Sequence, residues 1–227
     1  MKSRQGFSLI EMAFVLVIVT LLLGGLLVPF TTQVEQKRIA ETQKMLEEVK
    51  EALLGFAVAY GRLPCPDSTN DGLEDSCGAG TESEGNLPWA TLGVGAADAW
   101  GNRLRYRVTN TFTVKISLGT GTLNVCLAAG CGAGTIIAQN VPAVVLSYGK
   151  NGYGSINANR AAMDTTTIPC PAGGCSADES ENQNGDNNFV SRTITPAGTP
   201  AGEFDDLVVW LSPNILFNRM VAAGKLP

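Results

Sequence analysis

Between Gly6 and Phe30 the chain reads GFSLIEMAFVLVIVTLLLGGLLVPF, apolar except for Ser8, Glu11 and Thr20. From Met12 to Phe30, 19 residues carry no charge. As a helix rising about 1.5 Å per residue, this run is roughly 29 Å long, the thickness of a bilayer core. The short leader before it carries Lys2 and Arg4, and positive charge holds that end in the cytoplasm. The rest of the chain is therefore expected on the far side of the membrane. A secretory signal peptide has an apolar core of about 7–15 residues and ends at a small-x-small site. This run is longer, and no A-x-A site follows Phe30.

Glu11 does not suit a plain anchor. A carboxylate at the bilayer centre costs about 3 kcal/mol, less near the interface. Glu11 either lies at the headgroup level or needs a cation. Cleavage between Gly6 and Phe7 would supply one, the new α-amino group of Phe7. Charges about 4 Å apart attract by about 4 kcal/mol at an effective dielectric near 20. That is enough to offset the insertion cost, within one chain or between helices stacked with an axial shift.

GFSLIEM, with its basic leader and long apolar run, resembles the class III signal of type IV prepilins and type II secretion pseudopilins. The resemblance implies that prepilin peptidase cuts after Gly6 and methylates Phe7, and that Glu11 sets the register of neighbouring subunits. It also implies an inner-membrane, single-pass precursor with its C-terminal domain extracytoplasmic. Its partners would be the peptidase and other pilin or pseudopilin subunits of a filament. The implied organisation is a leader (1–6), a transmembrane and filament-core helix (7–30), an amphipathic half of the same helix (31–60) and a pilin-like globular domain (61–227).

The residues downstream fit that plan. Ile39, Leu46, Leu53 and Tyr60 recur every seven residues, with Val49 and Phe56 forming a second seam, so 31–60 reads as an amphipathic helix. Gly61 and Pro64 stop it. The stripe suits packing on its own domain or a coiled coil, and some three heptads favour the former. Gly24, Gly25 and Pro29 predict a bend or melted turn in the middle. Residues 61–102 read as an acidic, solvated loop. In Arg103–Val108, Leu104, Tyr106 and Val108 alternate with Arg103, Arg105 and Arg107, which predicts a strand buried on one face. Phe112 to Leu118 alternates too and predicts a hairpin partner turning at 109–111. The preceding Asp98-Ala99-Trp100-Gly101 resembles the D-P-W-G step of major pseudopilins, with Ala99 in place of proline. The arginine row is a candidate surface for phosphates or an acidic partner, or simply the wet face of a sheet. Leu123–Leu127, Val141–Tyr148 and Asp206–Leu211 are further strands, and Ser212-Pro213 opens a short helix, Asn214 to Ala222. The fold class expected is α+β, a long helix packed on a small antiparallel sheet.

Charge and cysteine narrow the function. The net charge is −5, and losing Lys2, Arg4 and Glu11 makes it −6, which argues against nucleic-acid binding. There is no histidine, so triads and metal sites that need one are excluded. With no nucleophile elbow or phosphate loop either, no catalytic residue is expected. Six cysteines lie beyond the anchor, where the compartment oxidises. Local pairs are expected: Cys65–Cys77, Cys126–Cys131 and Cys170–Cys175. Zinc is the rival, but C-x4-C is looser than the usual C-x2-C.

Asp178, Glu179, Glu181, Asn182, Asn184, Asp186 and Asn187 crowd into ten residues around Gly185. Such a stretch is a solvated acidic loop or a calcium site, since calcium takes six to eight hard oxygens. Its position resembles the calcium loop of major pseudopilins, and Glu181 and Asp186 are the ligands expected. The function implied is a structural filament subunit, of minor or tip type given its long loops. The alternative is a binding module for adhesion, DNA uptake or secretion substrates carried on the filament.

Overall fold

The computed structural model describes residues 8–119, 121–160 and 164–226, with side chains throughout these except at 23–30. The chain forms two compact units, Met1–Ala40 and Glu41–Pro227. Helix α1 (Leu9–Tyr60) is assigned without a break across both. The melted turn expected at Pro29 is therefore not formed. Proline removes one hydrogen bond and crowds the carbonyl four residues back, but its φ is helical, so the helix can run through it.

The second unit is α+β. After α1 come β1 (Glu82–Asn86), α2 (Trp89–Leu92), β2 (Arg105–Thr109), α3 (Thr111–Val114), β3 (Leu123–Cys126), β4 (Ile136–Val141), β5 (Ala143–Ser147), α4 (Ala177–Glu181), β6 (Asn188–Val190), β7 (Leu207–Trp210) and α5 (Pro213–Ala222). One antiparallel sheet has the order β1-β2-β5-β7. A second has the order β4-β3-β6, with β3 and β6 parallel.

Three layers result. The C-terminal part of α1 buries Leu46, Val49, Leu53, Leu54, Phe56 and Ala57. Leu53 and Lys50 line a small gap with Val145 of β5 and Val209 of β7, which places the helix on one face of the first sheet. Tyr60 departs from the expected stripe: it is exposed and lies against Phe56, with ring centroids 4.4 Å apart. On the other face, Val144, Leu146 and Tyr148 form one cluster with Leu123, Val125, Val141 and Phe189 of the second sheet. The first sheet is thus covered on both sides, and all five residues of β5 are buried. A strand buried on both faces reads as a continuous apolar run.

That second layer corrects the arginine row. Arg105 and Arg107 lie opposite Leu146 and Val144, on the covered face. Arg107 and Arg105 both bond Glu84 of β1, at 2.5 and 2.8 Å, and Arg107 also donates to Asn187 Oδ1. Arg103 donates to Asn70, Ala96 and Ala158 and stacks on Trp89. Arg103 and Arg107 are buried and Arg105 is half-buried and bound to Glu84, so the row is engaged within the fold rather than being the wet face of a sheet.

Two other readings change. Phe112–Leu118 is not a strand. Thr111–Val114 is helical, burying Phe112 and leaving Val114 exposed, with Ile116 buried further on. Partners of β2 are instead β1 and β5. The acidic stretch 61–102 contains β1, and three of its carboxylates are engaged: Glu74 with Arg62, Asp75 with Ser68 and Thr69, and Glu84 with Arg105 and Arg107. A Cβ at Gly85 would lie 2.6 Å from the Asp67 carbonyl, so β1 needs glycine there.

The structure joins Cys65 to Cys77, Cys126 to Cys131 and Cys170 to Cys175. Peptide mapping without reductant is expected to recover these pairs alone. Loops this short contribute about 2 kcal/mol each on the chain-entropy account. Crossed pairs or free thiols would contradict the arrangement.

Candidate assembly site and cation site

In the first unit, Ser8 precedes α1 and Glu11 falls at its third helical position. The Ser8 backbone N–H donates to Glu11 Oε2 at 2.8 Å, and the Glu11 N–H donates to Ser8 Oγ at 3.3 Å. This reciprocal pair is a capping box, which satisfies two donors at the helix start. The S-x-x-E spacing was there to be read in Ser8-Leu9-Ile10-Glu11. The carboxylate thus has an acceptor role within its own chain as well as any role toward a cation. Beyond it, every described side chain from Ser8 to Leu22 is exposed, from Leu9 at 94% to Val19 at 43%. Such an apolar surface requires lipid or other helices around it. Among the described residues no helix is long and apolar enough to cross a membrane. The expected span runs to Phe30, and its side chains from 23 onward are outside those described. Gly6 and Phe7, the expected cleavage pair, also lie outside the described residues.

In the second unit the expected calcium ligands do not converge. Glu181 Oε1 accepts the Gly130 N–H at 2.8 Å, and its Oε2 accepts from Asn184. Asp186 is exposed and accepts from Asn188. The residues that do converge are Glu179, Asp205 and Asp206, whose carboxylate oxygens lie within 4.8 Å of one another. Glu179 sits on α4, whose N-cap Ser176 accepts the Glu179 N–H. Asp205 and Asp206 immediately precede β7.

Neutral donors hold this cluster in place. Asn151 spans two of its members, giving its Nδ2 to Glu179 at 2.8 Å and its N–H to Asp205 Oδ2 at 2.9 Å. Asn182 Nδ2 donates to Asp206 at 2.7 Å. Asp205 Oδ1 is buried with no hydrogen-bond partner. Burial raises all three carboxyls, Glu179 among them, Asp205 to about 7 and Asp206 well above its ordinary range. Mutual repulsion adds to the rise. A cleft of about 260 Å³, lined by Tyr153, Ser176, Glu179 and Glu203, opens beside the group. Three carboxylates that bring an oxygen each within 4.8 Å of one another are donors of the hard kind a divalent cation takes. Sequence gave only the Asp205-Asp206 doublet as a signal, because Glu179 joins it across the fold.

Together these features define a chain with a capped, apolar N-terminal helix and a three-layer α+β domain. Residues 1–27 match the prokaryotic N-terminal methylation motif, the class III signal of type IV pilins and pseudopilins. The motif implies processing by prepilin peptidase and assembly with other pilins. No curated protein and no solved structure matches the chain.

Proposed function

We propose that the chain is a structural subunit, of minor or tip type, of a type IV pilus or type II secretion pseudopilus. On this reading the run Met12–Phe30 crosses the inner membrane once, with the C-terminal domain outside the cytoplasm. Prepilin peptidase cuts after Gly6 and methylates Phe7, and the freed helix then packs against others in the filament core. The observation that carries the reading is the methylation motif set on a helix whose described start is capped by Ser8 and Glu11 and exposed on all sides. The function is structural rather than catalytic. As a display module the domain has fewer candidate surfaces than its charges suggested, since Arg103, Arg105 and Arg107 are engaged within the fold. Sheared filaments from cells with active peptidase are expected to contain the protein, and cells with inactive peptidase should keep it in the membrane. Its absence from sheared filaments in both would contradict the reading.

We also infer that Glu179, Asp205 and Asp206 hold a calcium ion that locks α4 to the start of β7. The cation would take the place of the protons that burial holds on these carboxyls. Calcium at about 100 times its dissociation constant is expected to stabilise the protein by about 2.7 kcal/mol, raising the melting temperature by several degrees over that in EDTA. The pH dependence has a definite sign. Asp205 titrates near 7 when folded, against about 3.9 in an unfolded chain. Its contribution is fully present below about pH 4 and is lost as pH rises through 7. Without calcium, stability should therefore fall between about pH 4 and about pH 7, and calcium should flatten that fall. Superimposable melts with and without calcium would rule the ion out.

A further inference from the structure

An edge strand offers unpaired N–H and C=O groups to any other extended chain, and proteins blunt such edges with charges, bulges or covering segments. Among the described residues, three of the four sheet edges are blunted in this way. β1 meets Asp67, whose N–H and C=O both bond Asn86, and it carries Glu82 and Glu84. β4 shifts register twice against β3. On β6 the side chain of Asn182 takes both the N–H and the C=O of Val190. β7 has none of these devices: Leu207-Val208-Val209-Trp210 is uncharged, and its register with β5 is regular. The Leu211 N–H donates to the Ala143 carbonyl at 3.0 Å. By the antiparallel alternation, Leu207 and Val209 also bond β5, while the N–H and C=O of Val208 and Trp210 point away from it. Among the described residues no backbone group bonds them on that side.

A cleft of about 330 Å³ lies beside this strand. Leu46 of α1 and Leu207 and Val209 of β7 give it apolar walls, and Gln43 and Glu47 of α1 also line it. Helix α1 is thus both a wall of the cleft and the element by which the chain joins a filament on the reading above. We propose that the cleft between α1 and β7 takes an extended, apolar segment of a neighbouring pilin subunit, which adds to the first sheet as a fifth strand beside β7. The proposal rests on the filament reading above. Only an extended backbone repeats its donors and acceptors at every second residue, which is the spacing that Val208 and Trp210 present. Alternate side chains of the added strand would enter the cleft against Leu46 and Val209. Apolar packing of helices is non-directional. Pairing to an edge fixes the neighbour's register, since a slip of one residue turns every side chain to the other face.

The test is hydrogen exchange on the full-length protein, in sheared filaments and in detergent, read at peptides covering residues 206–212. The Val208 and Trp210 amides should exchange freely in detergent and slow by about tenfold or more in filaments. Val209 and Leu211, bonded to β5, should be protected in both. Two variants isolate the backbone contribution. V208P removes one outward donor, a change that an edge strand tolerates, and V208A trims the same side chain but keeps the donor. With melting temperature as the check on folding, V208P should reduce incorporation into filaments by about fivefold or more, and V208A should incorporate like the wild type. Fast exchange at Val208 and Trp210 in filaments would overturn the strand addition while leaving the filament reading standing. Incorporation of V208P at the wild-type level, or an equal loss in V208A, would also overturn it. Should V208P not fold, exchange in the wild type decides alone. Absence of the wild type from filaments would remove both readings.

Discussion

Replacing Glu11 with valine is expected to leave membrane insertion intact or improved and to abolish incorporation into filaments. The substitution removes a carboxylate that costs up to about 3 kcal/mol in lipid. It also removes the acceptor for a neighbouring Phe7 ammonium, an attraction of about 4 kcal/mol at an effective dielectric near 20. Losing that much registration energy per subunit should reduce incorporation by about two to three orders of magnitude. The Ser8–Glu11 capping box refines the expectation. Glu11→Gln keeps the acceptor that caps the helix and loses the charge. If register depends on charge, glutamine should fail like valine; if capping alone matters, glutamine should assemble. Quantitative blotting of sheared filaments against whole membranes decides between them. Wild-type incorporation of the valine variant would end the registration role.

The largest stability effect is expected at Glu84. Its side chain is 15% exposed and answers both Arg105 and Arg107, the latter 10% exposed and with its Nε already unpartnered. Glu84→Ala leaves two guanidinium groups facing the apolar layer of Val144, Leu146 and the second sheet. Removing one partner of a buried pair costs about 3 kcal/mol or more, a large share of a stability of about 5–15 kcal/mol. The urea midpoint should fall accordingly with an unchanged slope. Replacing Glu84 and Arg107 together by leucine should cost less than Glu84→Ala alone, because no buried charge at position 107 is then orphaned. A Glu84→Ala loss below about 1 kcal/mol would mean that water reaches the arginines, and that the second sheet does not seal them.

What the sequence disclosed depended on the range of the contacts involved. The methylation motif, the α1 seam at Leu46, Val49, Leu53 and Phe56, and the alternation of Leu104, Tyr106 and Val108 are local patterns, and the fold follows them. The three disulfides close short loops, so spacing pointed to them. The arginine row misled because its environment is set by β3 and β6, which lie far along the chain. β1 was hidden because Glu82–Asn86 is polar and contains Gly85, although its pairing with β2 is regular. At Thr111–Leu118 the alternating β-branched residues suggested a strand. With β1 and β5 already flanking β2, the chain instead tucks Phe112 and Ile116 inward from a short helical turn. Oxygen ligands were expected within one acidic stretch, yet the group that converges draws Glu179 from α4 and two aspartates from the foot of β7. Burial with one orphaned oxygen, not density of charge along the chain, distinguishes that group.

The central claim is that this chain is cut after Gly6 and built into a filament by the helix that begins there. Intact-mass and N-terminal sequencing of the protein from sheared filaments test it most directly. The account predicts a chain that starts at Phe7 and carries one extra methyl group at its N-terminus. A chain in filaments that starts at Met1, or one that starts beyond Phe30, would contradict it.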